Sequence, residues 1–374
     1  MIVSGFYGHL VASVGVSGVR LSAKVAIVTL TAFALGVAPA VTLGGLNGLF
    51  ALYTVINIAV AIFYHRALHR LSTDSSVHPS RPPIGGESVC AVVVAYYPDS
   101  DFEARLRSLL PQVGAVVVVD NTPNGGSAER LGAMGDHIAV VENSANLGVA
   151  AALNIGLRHA QRAGCPWLLT LDQDTRCYPD MVHTLLHVLA TCEPAPAVIG
   201  GNYLDPRRGA TEVPEADGDW VEQITVITSG CLIDVARAQA IGGFREDYFI
   251  DQVDHEFCLR VRRHGGRVVI SRKPVMTHSV GGPAGAHVPL LGIFPNHAPL
   301  RKYYITRNSL VTIAGYWKQE PGWCARRLAR LLLGLGLMAL LEENPLAKVR
   351  AFAAGTVDGV RQRMGPCRRE NLHD

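Results

Sequence analysis

Residues 168–175 read LLTLDQDT: an apolar run ends in two carboxylates, Asp172 and Asp174, on either side of Gln173. In extended chain, side chains two apart project to the same side, so both acids can reach one point in space where the run stops. Two like charges so placed need a positive partner. Paired carboxylate oxygens suit a hard divalent cation, Mg²⁺ or Mn²⁺, which typically binds one or two carboxylates plus substrate phosphates. Taken alone, Asp-x-Asp is also a common helix cap with an exposed neighbour. Its place at the end of a buried strand favours the metal, carrying a diphosphate.

Around this run the pattern alternates. SVCAVVVAYY (88–97) reads as a fully buried strand, DFEARLRSLLPQV (101–113) as a helix, and GAVVVVDN (114–121) and DHIAVVEN (136–143) as two more strands. LGVAAALNIGLRHAQRAG (147–164) reads as a helix ended by Gly164, PWLLTLDQDT (166–175) as the next strand, and residues 178–191 as a helix. Strands apolar on both faces, separated by amphipathic helices, predict an α/β fold with a mainly parallel sheet covered on both sides. Ligands of such sheets collect outside the carboxyl ends of the strands. Polar residues stand at those ends: Asp120 and Asn121, Asn143 and Asn146, Asp172 and Asp174. For Asp120 and Asn121 an ordinary turn is the competing reading, because NTPNGG follows. Neither Gly-x-Gly-x-x-Gly after the first strand nor a P-loop occurs, so a phosphate held here needs a metal to neutralise it.

A second acidic cluster lies in FREDYFIDQVDHEFCLRVRRHGG (244–266). Phe249, Ile250, Val253, Phe257 and Val261 form an apolar set, and Gly265-Gly266 would stop a helix beginning around Asp251. Asp251 and Asp254 then share the face of its first turn. As structure alone they are an N-cap and a dipole partner; as chemistry, one of them is a general base.

The ordered set VVVAYYPD (92–99), VVVVDN (116–121), ENSANLGVAAALNIG (142–156), LTLDQDT (169–175), GGFREDYFIDQVDHEFCLRVRRHG (242–265), MTHSVGG (276–282) and KYYITRN (302–308) resembles the family 2 inverting glycosyltransferases of GT-A fold, and within them the bacterial rhamnosyltransferases. Each motif is weak; their order and spacing are specific. The resemblance implies that Asp120 contacts the nucleotide base, that Asn146 and Asn154 lie near nucleotide and sugar, and that Asp172 and Asp174 hold the metal. Asp254 matches the base position, with Val253 where the wider family usually has Glu. Asp251, Glu256 and Arg260 fall at substrate-side positions, His278 at one that approaches the metal or diphosphate, and Arg307 and Asn308 in a motif for diphosphate or acceptor contact. The implied donor is dTDP-rhamnose, with galactofuranose or another nucleotide-linked sugar next.

The 374-residue chain is 49% hydrophobic and only 17% charged, enough for a large core and two or three folding units. A net charge of +3 without a basic block argues against nucleic acid. Its eight cysteines lie singly, without Cys-x-x-Cys, and read as reduced thiols in the cytoplasm. Residues 25–64 carry no charge, where one spanning helix needs about 20 apolar residues. Pro39 and Gly44-Gly45 at the middle, with Arg20 and Lys24 before and Arg66 and Arg70 after, predict a transmembrane helical hairpin with both flanks cytoplasmic. A secretory signal cut near Ala38-Pro39-Ala40 is the rival reading.

The expected organisation is a membrane segment over 1–70, a linker over 71–87, a GT-A domain over 88–315 and a helical region over 316–374. In that last region Trp317, Trp323, Arg326, Arg327 and Arg330 precede an apolar run of residues 331–341, too short to span a bilayer. It fits an interfacial helix or a core helix. With the hairpin, it points to a glycan acceptor on a lipid carrier at the membrane. Two readings of other classes compete. A nucleotidyltransferase would normally show a Gly-rich basic loop where YYPDSDFEARL (96–106) stands, and a non-catalytic membrane scaffold would be expected to have lost carboxylates that are all present.

Overall fold

The computed structural model describes residues 85–374 apart from 136, 208, 215, 279–284, 289–291, 370–371 and 373–374. The hairpin expected over 25–64 lies outside the described residues. Among them, no helix is long and apolar enough to cross a membrane. Residues from Pro83 to Asp374 form one compact unit.

Strand β1 (Val89–Ala95) is buried along its whole length. The pleat sorts its side chains onto two faces: Cys90, Val92 and Val94 enter one apolar cluster, while Val89, Ala91, Val93 and Ala95 enter the other. Strand β2 (Ala115–Asp120) splits in the same way, Val117 and Val119 against Val116 and Val118. Parallel ladders join β1 to β2, β2 to β3 (Ile138–Glu142), and β1 to β4 (Trp167–Asp172). Helix α1 (Phe102–Leu109) packs on one face, α2 (Ser127–Gly132) follows β2, and α3 (Val149–Arg162) covers the other face. Helix α3 lies close because of Gly156, where a Cβ would stand 2.4 Å from the Val92 side chain.

Beyond β4 the expectation of a mainly parallel sheet fails. The sheet runs β3-β2-β1-β4, then β9 (Cys231–Asp234), β6 (Val198–Asp205), β10 (Val268–Thr277) and β5 (Arg176–Cys177), and is mixed. Strand β9 sits between β4 and β6, antiparallel to both. Strand β10 runs parallel to β6, and β5 pairs antiparallel with its end. Two short strands, β7 (Ala210–Thr211) and β8 (Trp220–Glu222), attach to β6 and β10. Strand β9 is as apolar as a parallel strand because it too is covered on both faces, so composition could not reveal its direction. Because β5 occupies residues 176–177, helix α4 (Met181–Thr191) starts three residues later than expected.

Helix α5 (Val235–Ala240) is capped by Asp234, whose carboxylate accepts from the Arg237 N–H at 3.0 Å. Helix α6 (Val253–Arg263) begins at Val253, not Asp251; its cap is Gln252 in the left-handed region, with no side-chain cap bond. Strands β11 (Gly285–Val288) and β12 (Gly292–Pro295) form a separate antiparallel pair. Helices α7 (Pro299–Tyr316), α8 (Pro321–Leu341) and α9 (Pro345–Val360) pack on one another within the compact unit. In α8, Leu331 and Met338 are buried while Leu332 and Leu333 are exposed, and before it Trp317 is exposed as well.

Candidate active site

Asp172 ends β4, and the next residues turn sharply, with the Thr175 N–H donating to the Asp172 carbonyl at 3.2 Å. Gln173 points away from its acidic neighbours and clasps the end of β1. Its Oε1 accepts from the Tyr96 N–H at 2.7 Å, and its Nε2 donates to the Tyr96 carbonyl at 3.0 Å. The Arg105 guanidinium donates to the Gln173 carbonyl at 2.7 Å. This anchoring leaves Asp172 and Asp174 projecting together from the strand end.

The third member comes from the far side of the sheet. His278 follows β10; its N–H donates to the Leu204 carbonyl, and its buried ring meets Tyr203 edge-on at 5.8 Å. The imidazole lies 3.8 Å from an Asp172 oxygen and 3.6 Å from an Asp174 oxygen. One ligand atom from each of the three residues lies within 4.8 Å of the others. That span fits a hard cation with bonds of roughly 2.0–2.2 Å, whose opposite ligands stand about twice that apart. Ser229 and Thr175 brace the group: the Ser229 hydroxyl accepts from the Asp172 N–H at 3.1 Å, and Thr175 Oγ1 meets Ser229 Oγ at 2.5 Å and His278 Nδ1 at 3.2 Å.

Enclosure of the Asp172 carboxyl raises its pKa to about 6; His278 opposes the shift, and the carboxylates of Asp174 and Asp254 add to it. Asp254 is thus near enough to act on Asp172 through its charge. It stands in the first turn of α6, where exposed backbone N–H groups favour a carboxylate, and its Oδ1 accepts from the His255 N–H at 2.7 Å. The acid pair of one strand thus comes within charge range of an acid on a helix some eighty residues later.

The loop before α6 is held under strain. Phe249, Asp251 and Gln252 all have left-handed backbone, at φ 66°, 61° and 64°. Asp251 pairs with Arg301 at 3.3 Å, while its Oδ2 is buried without a hydrogen-bond partner among the described residues. Burial raises the Asp251 pKa; Arg301 opposes this and Asp254 adds to it.

Arg307 and Asn308, fully buried on α7, hold that loop. Asn308 Nδ2 lies 3.0, 2.7 and 2.9 Å from the carbonyls of Tyr248, Ile250 and Asp251, while Arg307 Nε donates to Asn308 Oδ1 at 2.9 Å. Where the resemblance put this pair in diphosphate or acceptor contact, the structure turns both inward. Glu256 and Arg260 are likewise corrected. They pair at 2.9 Å, Glu256 also accepts from the Tyr316 hydroxyl, and Arg260 donates to the carbonyls of Ile241 and Gly243. Every strong group of that pair is engaged within the protein.

Asn154 is also internal, donating to the Phe244 carbonyl and to Glu246, and accepting from the Phe244 N–H. Asp120 is buried at the end of β2, where its oxygens accept from the Thr122 N–H and the Ser127 hydroxyl, at 2.9 and 2.6 Å. Each oxygen keeps a lone pair for a further donor. Asn146 accepts from the Gly148 N–H, and Asn121 links Asn143 to the Gly148 carbonyl, tying the ends of β2 and β3 to the start of α3.

Sequence reading missed Arg301, Ser229, Thr175 and Arg327. Burial lowers the pKa of Arg327, and the carboxylates of Asp254 and Asp251, within charge range, oppose that shift. Nothing in the ARRLAR stretch marks which arginine turns inward.

Two carboxylates and an imidazole can hold a divalent cation, which when bound would offset charge on a phosphate leaving group. A further carboxylate nearby can take a proton from an attacking hydroxyl.

Comparison with known proteins agrees with this geometry. Residues 90–211 match glycosyl transferase family 2. Over 298 residues, 73% of this chain and 96% of the relative, the sequence is 27% identical to dTDP-rhamnosyl transferase RfbF of Shigella flexneri. The fold is similar to that of S. aureus TarS 1-349 in complex with UDP-GlcNAc, at a TM-score of 0.52 and 13% identity over 74% of this chain and 82% of that one. A second structure of TarS 1-349 gives a TM-score of 0.51 at 12% identity, over 74% and 81%. Residues 90–211 thus carry a glycosyl transferase family 2 domain on a mixed α/β, GT-A-like fold, and the chain is similar in sequence to a dTDP-rhamnosyl transferase.

Proposed function

We propose that the protein transfers L-rhamnose from dTDP-rhamnose to a hydroxyl of a glycan or lipid-linked acceptor, with inversion, at the cytoplasmic face of a membrane during cell-surface polysaccharide synthesis. The observation that carries the reading is the cluster of Asp172, Asp174 and His278, with Asp254 within range of Asp172 through its charge. The sequence similarity to a dTDP-rhamnosyl transferase supports the choice of donor.

On this reading the first three residues bind Mg²⁺ or Mn²⁺ with the donor diphosphate, and Asp120 and Asn146 lie towards the nucleoside. Asp254 accepts the acceptor hydroxyl proton as its oxygen attacks the anomeric carbon opposite the departing diphosphate. In-line displacement at an oxocarbenium-like carbon follows the geometry by which inverting glycosidases use water. Arg307, Asn308, Glu256 and Arg260 set the position of Asp254 without touching substrate.

The test is a panel of nucleotide sugars incubated with the full chain, Mn²⁺ and a membrane fraction as the source of acceptor, with nucleoside diphosphate release as readout. Release from dTDP-rhamnose above all others is expected. Release from another donor alone would move the specificity, and no release from any would overturn the reading.

A further inference from the structure

A cavity of ≈ 260 Å³ is lined by residues that adjoin those of the site. It lies over β6 and β10, on the opposite side of β4 from β1, β2 and β3. Tyr203, which packs against His278, and His255, the neighbour of Asp254, both line it. One wall is α8, which contributes Trp323, Arg326, Arg327 and Arg330, and another is the segment 223–227.

The charge in this cavity is unbalanced. Its one carboxylate, Glu212, already accepts from the Tyr203 hydroxyl at 2.9 Å. Arg327 donates to the Ser309 hydroxyl at 3.1 Å and faces the field of Asp254 and Asp251. Neither Arg326 nor Arg330 has a hydrogen bond or ion pair among the described residues. Their one-turn spacing on a helix holds two like charges side by side, a repulsion that a bound anion would relieve. His255 Nδ1 is also buried without a partner.

We propose that this cavity is the acceptor end of the site and that Arg326 and Arg330 bind a phosphate ester carried by the acceptor. The proposal rests on the glycosyl-transfer reading above. Two unpaired guanidinium groups match the roughly −1.5 to −2 charge of a phosphate better than the single charge of a carboxylate, and their planar forks suit its oxygens. A nucleoside on the β1–β3 side cannot also occupy the β6–β10 side, so the anion belongs to the other substrate. The volume lies just under the roughly 300–1,000 Å³ of ordinary small-molecule pockets, so it takes a single group, not a whole glycan. A second cavity of ≈ 240 Å³ shares Arg327 and Arg330 and continues along Leu331, Leu335, Met338 and Phe352. The phosphate therefore has two possible carriers, an apolar chain or a sugar.

The test titrates the full chain, saturated with Mn²⁺ and dTDP, with farnesyl diphosphate and with galactose 1-phosphate, using farnesol and galactose as controls. At least one phosphate probe should bind where its parent alcohol does not; preference for the farnesyl probe identifies a lipid carrier, and preference for the sugar phosphate a glycosyl phosphate. The Arg326→Gln/Arg330→Gln double variant should weaken that probe by about tenfold or more, and the double Lys variant by less, with dTDP affinity kept within about twofold. Unchanged probe binding in the Gln variant, or no binding of either probe, overturns the proposal. Parallel loss of dTDP would assign the arginines to the donor and overturn it as well. If dTDP and UDP both fail to bind the unaltered protein, the donor reading fails instead, and the probes then report on the arginines directly.

Discussion

Asn308 Nδ2 lies 2.7 Å from the Ile250 carbonyl, joining the buried centre of α7 to the left-handed loop that delivers Asp254. Left-handed backbone at non-glycine residues costs about 1–3 kcal/mol each and persists only where the surroundings impose it. Asn308→Ala should cost about 1–3 kcal/mol, because it strands buried carbonyls. Asn308→Asp, of the same size, should cost more, because it sets a carboxylate against three carbonyl oxygens. Denaturant unfolding measures both; stability unchanged in either variant would show that Asn308 does not hold the loop.

For Asp254, the Asn variant keeps shape and loses basicity. Transfer should fall by about 10²–10⁴-fold, while Mn²⁺-dependent binding of nucleoside diphosphate stays near that of the unaltered protein. A variant retaining a near-normal rate would remove Asp254 from the base role.

Asp174→Ala opens the cation site on its exposed side, and His278→Ala on its buried side. Both should weaken Mn²⁺ and, with it, nucleoside diphosphate, by about tenfold or more. Calorimetric titration with and without EDTA separates the two affinities. Equal diphosphate affinity in all three proteins would contradict the metal assignment.

Acid sensitivity should arise at His297. Its burial, reinforced by Arg301, Lys302 and Lys348, pushes the imidazole pKa down to about 3. In the unfolded chain the group titrates near its ordinary value, so only the unfolded state gains a proton as pH falls below about 6.5. The sign is a loss of stability, growing from that pH down towards 3. The melting temperature should drop between about pH 7.5 and pH 5, and His297→Gln should flatten the drop. Parallel curves for the two proteins would refute this origin.

The strands β1, β2, β3 and β4 and the helices α1 and α3 were legible because their signals are local. A run such as VCAVVVA is apolar at every position, which marks a strand buried on both faces whatever its neighbours are. The same locality placed Asp172 and Asp174 on one side, since the pleat has a period of two residues. The Asp254 helix was legible as well, but its start was not. Asp251 looks like a cap in sequence, whereas three left-handed residues carry the chain past it and Arg301, fifty residues away, takes its carboxylate.

What the sequence determined by itself is therefore the alternation of buried strands and helices, and the acids standing at strand ends. Tertiary structure decided that β9 runs against β4, and that Glu256, Arg260, Arg307 and Asn308 turn inward as supports. It also decided that His278 closes on the acid pair and that Arg327 comes within charge range of Asp254. Backbone periodicity is set by the nearest few residues and can be read along the chain. The partner of a charged side chain is set by whichever distant segment packs against it, and a charge finds its counter-charge only once the strands have been ordered in space.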